Sequence, residues 1–280
     1  MTRRERAYYR RSILYWIVLL PLTAVTLFPF AVMVSTALKP RAEIFAYPPH
    51  WIPSHLAWKN FAGMWAVSHF GQALMNSAYV SILSVLLTLL IGIPAAYALF
   101  RFKVRGLGGF RIYLLITQMV SPIVLVIGLF RVFAMLGWID SRTPLIITYA
   151  AFNAAFTILM LQIYFMTIPA ELEEAAWIDG ATRLRTIRSI FLPLATPAVA
   201  VTALFTLVNV WNEFVIALTL LRSSSNYTLP LKVFALASNL YEVNWNETMA
   251  AVLLATVPPV IVFIWLQRYL ISGMAAGAIK

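Results

Sequence analysis

The sequence predicts an all-α integral membrane protein with six transmembrane helices. Three observations carry that expectation. Of the 280 residues, 62% are hydrophobic and only 11% are charged, where a soluble domain carries roughly a quarter charged residues. The mean hydropathy is +0.84. Six stretches are long enough to cross the hydrocarbon core, which takes about 20 apolar residues in helical form. Too little polar surface remains to coat a water-facing globule. Length alone would suggest two soluble domains, but this composition reads as a single transmembrane domain, 1–280.

The six stretches are roughly Ile13–Leu38, Ala73–Phe100, Ile112–Leu136, Thr143–Ile168, Leu194–Leu221 and Met249–Leu270. The first follows a basic start (Arg3, Arg4, Arg6, Arg10, Arg11) and resembles a secretory signal. However, its apolar run from Ser12 to Leu38 is 27 residues long, against about 7–15 in a signal-peptide core. It therefore reads as a retained span. Prolines interrupt several stretches (Pro21, Pro29, Pro94, Pro122, Pro197, Pro258, Pro259). Membrane helices tolerate them where neighbours satisfy the freed carbonyls.

Lysine and arginine placement orients the spans, because cationic segments resist translocation. With the N-terminus inside, the inner segments hold 14 of the 21 basic residues, including Arg101, Lys103, Arg105, Arg111, Arg183, Arg185, Arg188, Arg268 and Lys280. The outer side holds 7: Lys39, Arg41, Lys59, Arg131, Arg142, Arg222 and Lys232. Both termini are expected in the cytoplasm. The net charge of +11 is thereby explained by orientation, and no nucleic-acid partner is expected. The absence of cysteine excludes disulfides, thiolate metal sites and cysteine nucleophiles.

Two outer segments are long, about Lys39–Gln72 and Arg222–Glu247. Both mix aromatic, proline and polar residues, as in Tyr47-Pro-Pro-His-Trp-Ile-Pro53 and Tyr241-Glu-Val-Asn-Trp-Asn246. Two readings fit: an aromatic belt at the membrane interface, or a docking surface for an extracytoplasmic partner.

The inner segment between the fourth and fifth stretches, 169–193, holds the most information. Pro169 suits a first helical position, and Glu171, Glu173 and Glu174 complement the positive end of the helix dipole. Gly180 can supply a left-handed turn. Thr182 can cap a second short helix that stops at Pro193. Leu172, Trp177 and Ile178, with Ala175 and Ala176 between them, make an apolar ridge. Such a ridge fits either a groove on another protein or the lipid headgroups.

Glu174-Ala175-Ala176, Gly180 after three residues, then Ile190-Phe-Leu192-Pro193 resembles the EAA-x3-G-x9-I-x-L-P signature of binding-protein-dependent ABC importer permeases. Further stretches are similar to the maltose-type (MalG-like) sugar permeases of the carbohydrate-uptake family. They include Phe28-Pro-Phe30, Val34-Ser-Thr-Ala-Leu-Lys-Pro40, Asn76-Ser77, Trp211-Asn-Glu-Phe214, Tyr227-Thr-Leu-Pro230 and the tail from Gly273 to Lys280. The resemblance implies a type I ABC importer permease fold (MetI-like) in a bacterial or archaeal cytoplasmic membrane. It also implies a coupling role for Glu174, Ala175, Ala176, Trp177, Ile178, Asp179, Gly180, Ile190, Leu192 and Pro193. The implied partners are a second related permease, two copies of an ABC ATPase and an extracytoplasmic solute-binding protein. ATP and magnesium would then sit on the ATPase, with no cofactor in this chain. In agreement, no G-x-x-x-x-G-K-[ST] phosphate loop occurs in the sequence.

In the fifth stretch Thr202, Thr206, Asn209 and Glu213 recur at helical spacing, with Trp211 and Asn212 beside them. A charge near mid-bilayer costs about 2.5–3.5 kcal/mol, and Glu213 falls about 8 Å outward of the stretch's centre by helical rise. It should face a water-filled cavity or a polar partner. Asn209, Trp211, Asn212 and Glu213 are thus candidates for the translocation path, since amides and a carboxylate suit sugar hydroxyls and aromatic rings stack on sugar faces. Interhelical hydrogen bonding is the alternative. The stripe Ser77, Ser81, Ser84 and Thr88 reads as helix packing. A secondary transporter driven by an ion gradient is a competing class, but it favours inverted repeats and acidic or basic relays. No repeat is evident, and Glu213 is the one acidic residue deep in a stretch. A membrane enzyme fits less well, because His50, His55 and His69 all fall in the first outer segment without metal-ligand spacing.

Overall fold

The computed structural model describes residues 3–102, 106–238 and 243–277. Lys103, Arg105, Tyr241, Glu242 and Lys280, used in the sequence reading, lie outside the described residues. Among the described residues all regular structure is helical.

Four helices are individually long and apolar enough to cross a bilayer. They belong to α1 (Arg3–Leu38), α3 (Phe70–Arg101), α6 (Thr143–Phe165) and α13 (Trp245–Gly277). Two bent pairs bring the crossings up to six if each is taken as one span. The chain divides into two compact units. One comprises Met1–His69 with Val233–Leu254, the other Phe70–Lys232 with Ala255–Lys280.

In the first unit the end of α1 meets α2 (Lys59–Val67). Buried Asn60 ties them, donating from Nδ2 to the carbonyls of Ala37 and Lys39, both at 2.9 Å. Its Oδ1 accepts from Asn246 at 2.9 Å. Between α1 and α2 the chain folds on itself: Glu43 accepts from the Ser54 hydroxyl and from the Ser54 amide at 3.2 Å.

The second unit is built on α3 and α6, which share its most extensive helix–helix contact. Small residues set the distance. Ser77, Ser81, Ser84 and Thr88 are buried along α3, as the packing stripe predicts. At Gly92 an added Cβ would lie 2.7 Å from Cγ2 of Thr157. α10 (Thr196–Trp211) packs on both helices, and α4 (Leu107–Met119) packs on α6.

The third and fifth stretches are not continuous helices. The third splits into α4 and α5 (Pro122–Met135), which meet at 94°. Proline at 122 pushes the preceding residue toward extended backbone. Both Val120 (φ −79, ψ 119) and Ser121 (φ −67, ψ 131) adopt it. The fifth stretch bends by 81° between the segment Arg183–Leu194 and α10. It breaks again after Trp211, and the chain resumes as α11 (Val215–Leu220). Asn212 helps end α10 by donating its side-chain amide to the carbonyl of Val208 at 2.8 Å. Pro193 does not stop the second loop helix, which runs on through Leu194. Its preceding turn, Ile187–Phe191, is a π-turn, wider than an α-turn and so able to admit the proline ring.

Candidate functional site

The segment 169–193, expected from sequence to be a helix–turn–helix, joins α6 to α10. Pro169 precedes α7 (Ala170–Ile178), and Gly180 turns the chain at φ +78. Oγ1 of Thr182 then accepts from the amide of Arg185 at 3.3 Å, capping α8 (Arg183–Thr186). Glycine is needed at the turn because a Cβ disfavours the left-handed region.

Two side chains fasten this loop to the helix bundle, and the sequence marks neither of them for that role. Glu173 is 0% exposed. It accepts a short hydrogen bond from the Tyr97 hydroxyl, and Arg101 Nε lies 3.2 Å from its second oxygen. That second contact is an ion pair without hydrogen-bond alignment. The other fastener is Phe191, the unspecified residue between Ile190 and Leu192. It is fully buried, edge-on to Tyr97 and Phe165 at centroid distances of 5.2 and 5.4 Å.

The predicted ridge divides accordingly. Trp177 lies four residues after Glu173, on the same helical face, half-buried with the Arg101 guanidinium 4.7 Å from its ring centroid. Glu174 and Ala175 are exposed on the other face, with Ile178 at 87% and Leu172 beside them. Asp179 and Gly180 are exposed and Ala176 is half-buried. Ile190 and Leu192 are half-buried, and Pro193 is exposed. The loop thus presents a small mixed acidic and apolar surface on a well-fastened support.

A cavity of about 280 Å³ lies in the second unit between the bend joining α4 to α5 and the helices α6 and α10. Gln118, Tyr149, Asn153, Phe205, Asn209 and Glu213 are in its lining. The Asn209 amide donates to Asn153 Oδ1 at 3.1 Å. Glu213 sits in the break between α10 and α11. It accepts from the Tyr149 hydroxyl at 2.5 Å and from the amides of Ile216 and Ala217 at 3.0 and 3.3 Å. The carboxylate caps α11, satisfying two N–H groups that lack helical acceptors.

Of the four path candidates, Asn209 and Glu213 share this cavity. Asn212 is exposed and outside its lining, and Trp211 is buried with Nε1 donating to the carbonyl of Ala255 at 3.1 Å. Tyr149 and Asn153 went unnoticed in the sequence because nothing local distinguishes them from other polar residues in an apolar run.

Residues 88–276 match the family described as binding-protein-dependent transport system inner membrane component. The chain belongs to this family. The match takes in the loop 169–193, the cavity-lining residues and most of the second unit. Among relatives of this binding-protein-dependent component is the diacetylchitobiose uptake system permease protein DasC of Streptomyces coelicolor. It is 33% identical over 253 residues, covering 90% of this chain and 91% of that protein. The trehalose/maltose transport system permease protein MalG of Thermococcus litoralis is 36% identical over 212 residues, 76% of each chain. Both relatives are named as permease proteins of uptake or transport systems. The fold is shared with a bacterial ABC transporter involved in import of the acidic polysaccharide alginate. That match has a TM-score of 0.81 and 23% identity, and covers 96% of this chain and 98% of that one.

Proposed function

We propose that this chain is a permease subunit of an ABC importer, moving a carbohydrate or related polyhydroxylated solute inward by alternating access. One observation carries the coupling part of the reading. The inner loop holds the full EAA signature, with Glu174, Ala175 and Ile178 exposed on one face while Glu173 and Phe191 fix the other to the bundle. A helix so held fits the cleft of a separate ATPase subunit, the helix-in-groove mode.

ATP and magnesium belong on that partner, two copies of which serve a pair of permeases. A second related permease and an extracytoplasmic binding protein complete the assembly, with both ends of this chain in the cytoplasm. Cargo of the carbohydrate class follows from relatives named for diacetylchitobiose and trehalose/maltose uptake. The amides of Asn153 and Asn209 beside Glu213 and Phe205 suit hydroxyls and a sugar face along the path.

The test is co-purification. Mild extraction of the wild type retains an ATPase and supports ATP-dependent uptake. Glu174→Lys, which reverses an exposed charge, and Gly180→Pro, which breaks the turn, each lose the ATPase. Intact association in both variants overturns the docking assignment.

A further inference from the structure

We infer that Glu173 is a positioning residue that joins the loop helix α7 directly to α3, so that movement of α7 reaches the far end of the bundle along α3. The inference rests on the proposed seating of α7 against an ATPase and concerns the face turned away from it.

A carboxylate taken fully out of water is costly unless paired and hydrogen-bonded. This one has Tyr97 on one oxygen and Arg101 beside the other, both from the last two turns of α3. Arg101 also lies over Trp177, so a single guanidinium contacts two residues of α7 one turn apart. Breaking a buried pair by removing one partner is strongly unfavourable, so α7 and α3 are held together at a point that is costly to separate.

α3 then carries the displacement. From Arg101 to Asn76 it spans about 37 Å at 1.5 Å per residue. Asn76 and Ser77 there hold the segment 225–229 by three hydrogen bonds of 2.7–3.0 Å. Tyr97 and Arg101 at the joint and Asn76 at the grip thus lie on one helix, α3, which packs along α6.

The chain has no native cysteine, so Val120→Cys, in the cavity lining, reports access to a thiol reagent in the reconstituted complex. Labelling of this reporter is compared without nucleotide and with ATP, magnesium and orthovanadate, alongside the rate of ATP hydrolysis. In the otherwise wild-type background the nucleotide changes the labelling rate. Glu173→Gln keeps the shape and one acceptor for Tyr97 but loses the charge. It retains the ATPase and its hydrolysis while the nucleotide-dependent change shrinks about five-fold or more, the lower end of ordinary site-to-site coupling. Tyr97→Phe gives a smaller loss. Arg101→Met behaves as Glu173→Gln, and Arg101→Lys restores the response.

An unchanged labelling response in Glu173→Gln and Arg101→Met overturns the inference. So does loss of the ATPase from these variants, which would make Glu173 an assembly residue only. If the wild type itself retains no ATPase, the parent reading fails instead, and the two failures are distinct.

Discussion

Asn76 and Tyr227 are 151 positions apart in the chain, yet the Asn76 amide donates to the Tyr227 carbonyl at 3.0 Å. The same amide donates to the Ser225 carbonyl at 2.8 Å, and its oxygen accepts from Arg142 at 2.7 Å. One buried side chain thus satisfies two carbonyls of a segment with no regular structure of its own. Asn76→Ala removes the donor to both carbonyls, at a cost of about 1–3 kcal/mol each where water cannot reach, and leaves the Arg142 guanidinium, among the described residues, only its contact with the Tyr79 ring. The expected outcome is a lower thermal midpoint of the purified protein in detergent, and Asn76→Asp should not restore it, because a carboxylate accepts from Arg142 but cannot donate to the two carbonyls. An unchanged midpoint for the alanine variant would contradict this account.

The α3–α6 contact at Gly92 gives a second prediction. A methyl group there meets Cγ2 of Thr157 at 2.7 Å, closer than packed carbons tolerate. Gly92→Ala should destabilise by about 1–3 kcal/mol, the usual range for overpacking. Thr157→Ser removes the offending methyl, so the double variant should recover most of that loss. A thermal-shift series over the four proteins measures the coupling, and additivity would count against the contact.

Apolar run length reads α1, α3, α6 and α13 correctly because each is one unbroken helix, and burial of backbone polar groups leaves such a run little alternative. The bends are different. Hydropathy is blind to backbone path, so Ile112–Leu136 reads as one span although Ser121-Pro122 is a helix start inside it. The same holds for Leu194–Leu221, where Glu213 counts as a polar residue on a helix face although its carboxylate caps the next helix. In the inner loop, Gly180 and Thr182 are legible because turns and caps are local chemistry. Glu173 is not, since its partners Tyr97 and Arg101 lie more than 70 positions away. The dipole argument accounts for a carboxylate in the first turn of α7 but says nothing of its burial.

Asp140 supplies a pH dependence outside the spans. Burial opposes its ionisation, but hydrogen bonds from the Ser223 hydroxyl and from the amides of Arg222 and Ser223 outweigh it. They bring the carboxyl from 3.8 down to about 2. A folded value below the unfolded one contributes stability above about pH 4 that is lost as pH falls toward 2. Asp140 has φ +60, a region asparagine also tolerates, so Asp140→Asn removes the charge without straining the turn. The variant should melt below the wild type at pH 7, with the gap closing between about pH 4 and pH 2. A gap independent of pH would show that the charge is not responsible.

The cavity separates two neighbours that the sequence treats alike. Glu213→Ala orphans the Tyr149 hydroxyl and two amides at the start of α11, costing about 1–3 kcal/mol for each that water cannot reach, and removes the one carboxylate in the lining. Asn212→Ala loses a single exposed contact to Val208. In a strain that depends on this permease for growth on its sugar, Glu213→Ala should abolish uptake and Asn212→Ala should leave most of it. Equal loss in both would mean that the break after Trp211, rather than the cavity, governs transport.

Gly180 separates backbone conformation from packing. It holds φ +78, and an added Cβ would meet nothing within 4 Å, so a substitution there is strained without being crowded. Left-handed backbone costs a residue with a Cβ roughly 1–2 kcal/mol, and asparagine bears it better than alanine. That energy is small beside the stability of the helix bundle but acts at the turn that orients α7 against α8. Gly180→Ala should therefore leave the thermal midpoint nearly unchanged while weakening ATPase retention several-fold, with Gly180→Asn between alanine and the wild type. Retention titrated against ATPase concentration gives the order. If alanine and asparagine were equal to glycine, the left-handed turn would have no part in docking. If both were as damaging as Gly180→Pro, the cause would be lost contact at the glycine itself rather than the angle of the chain.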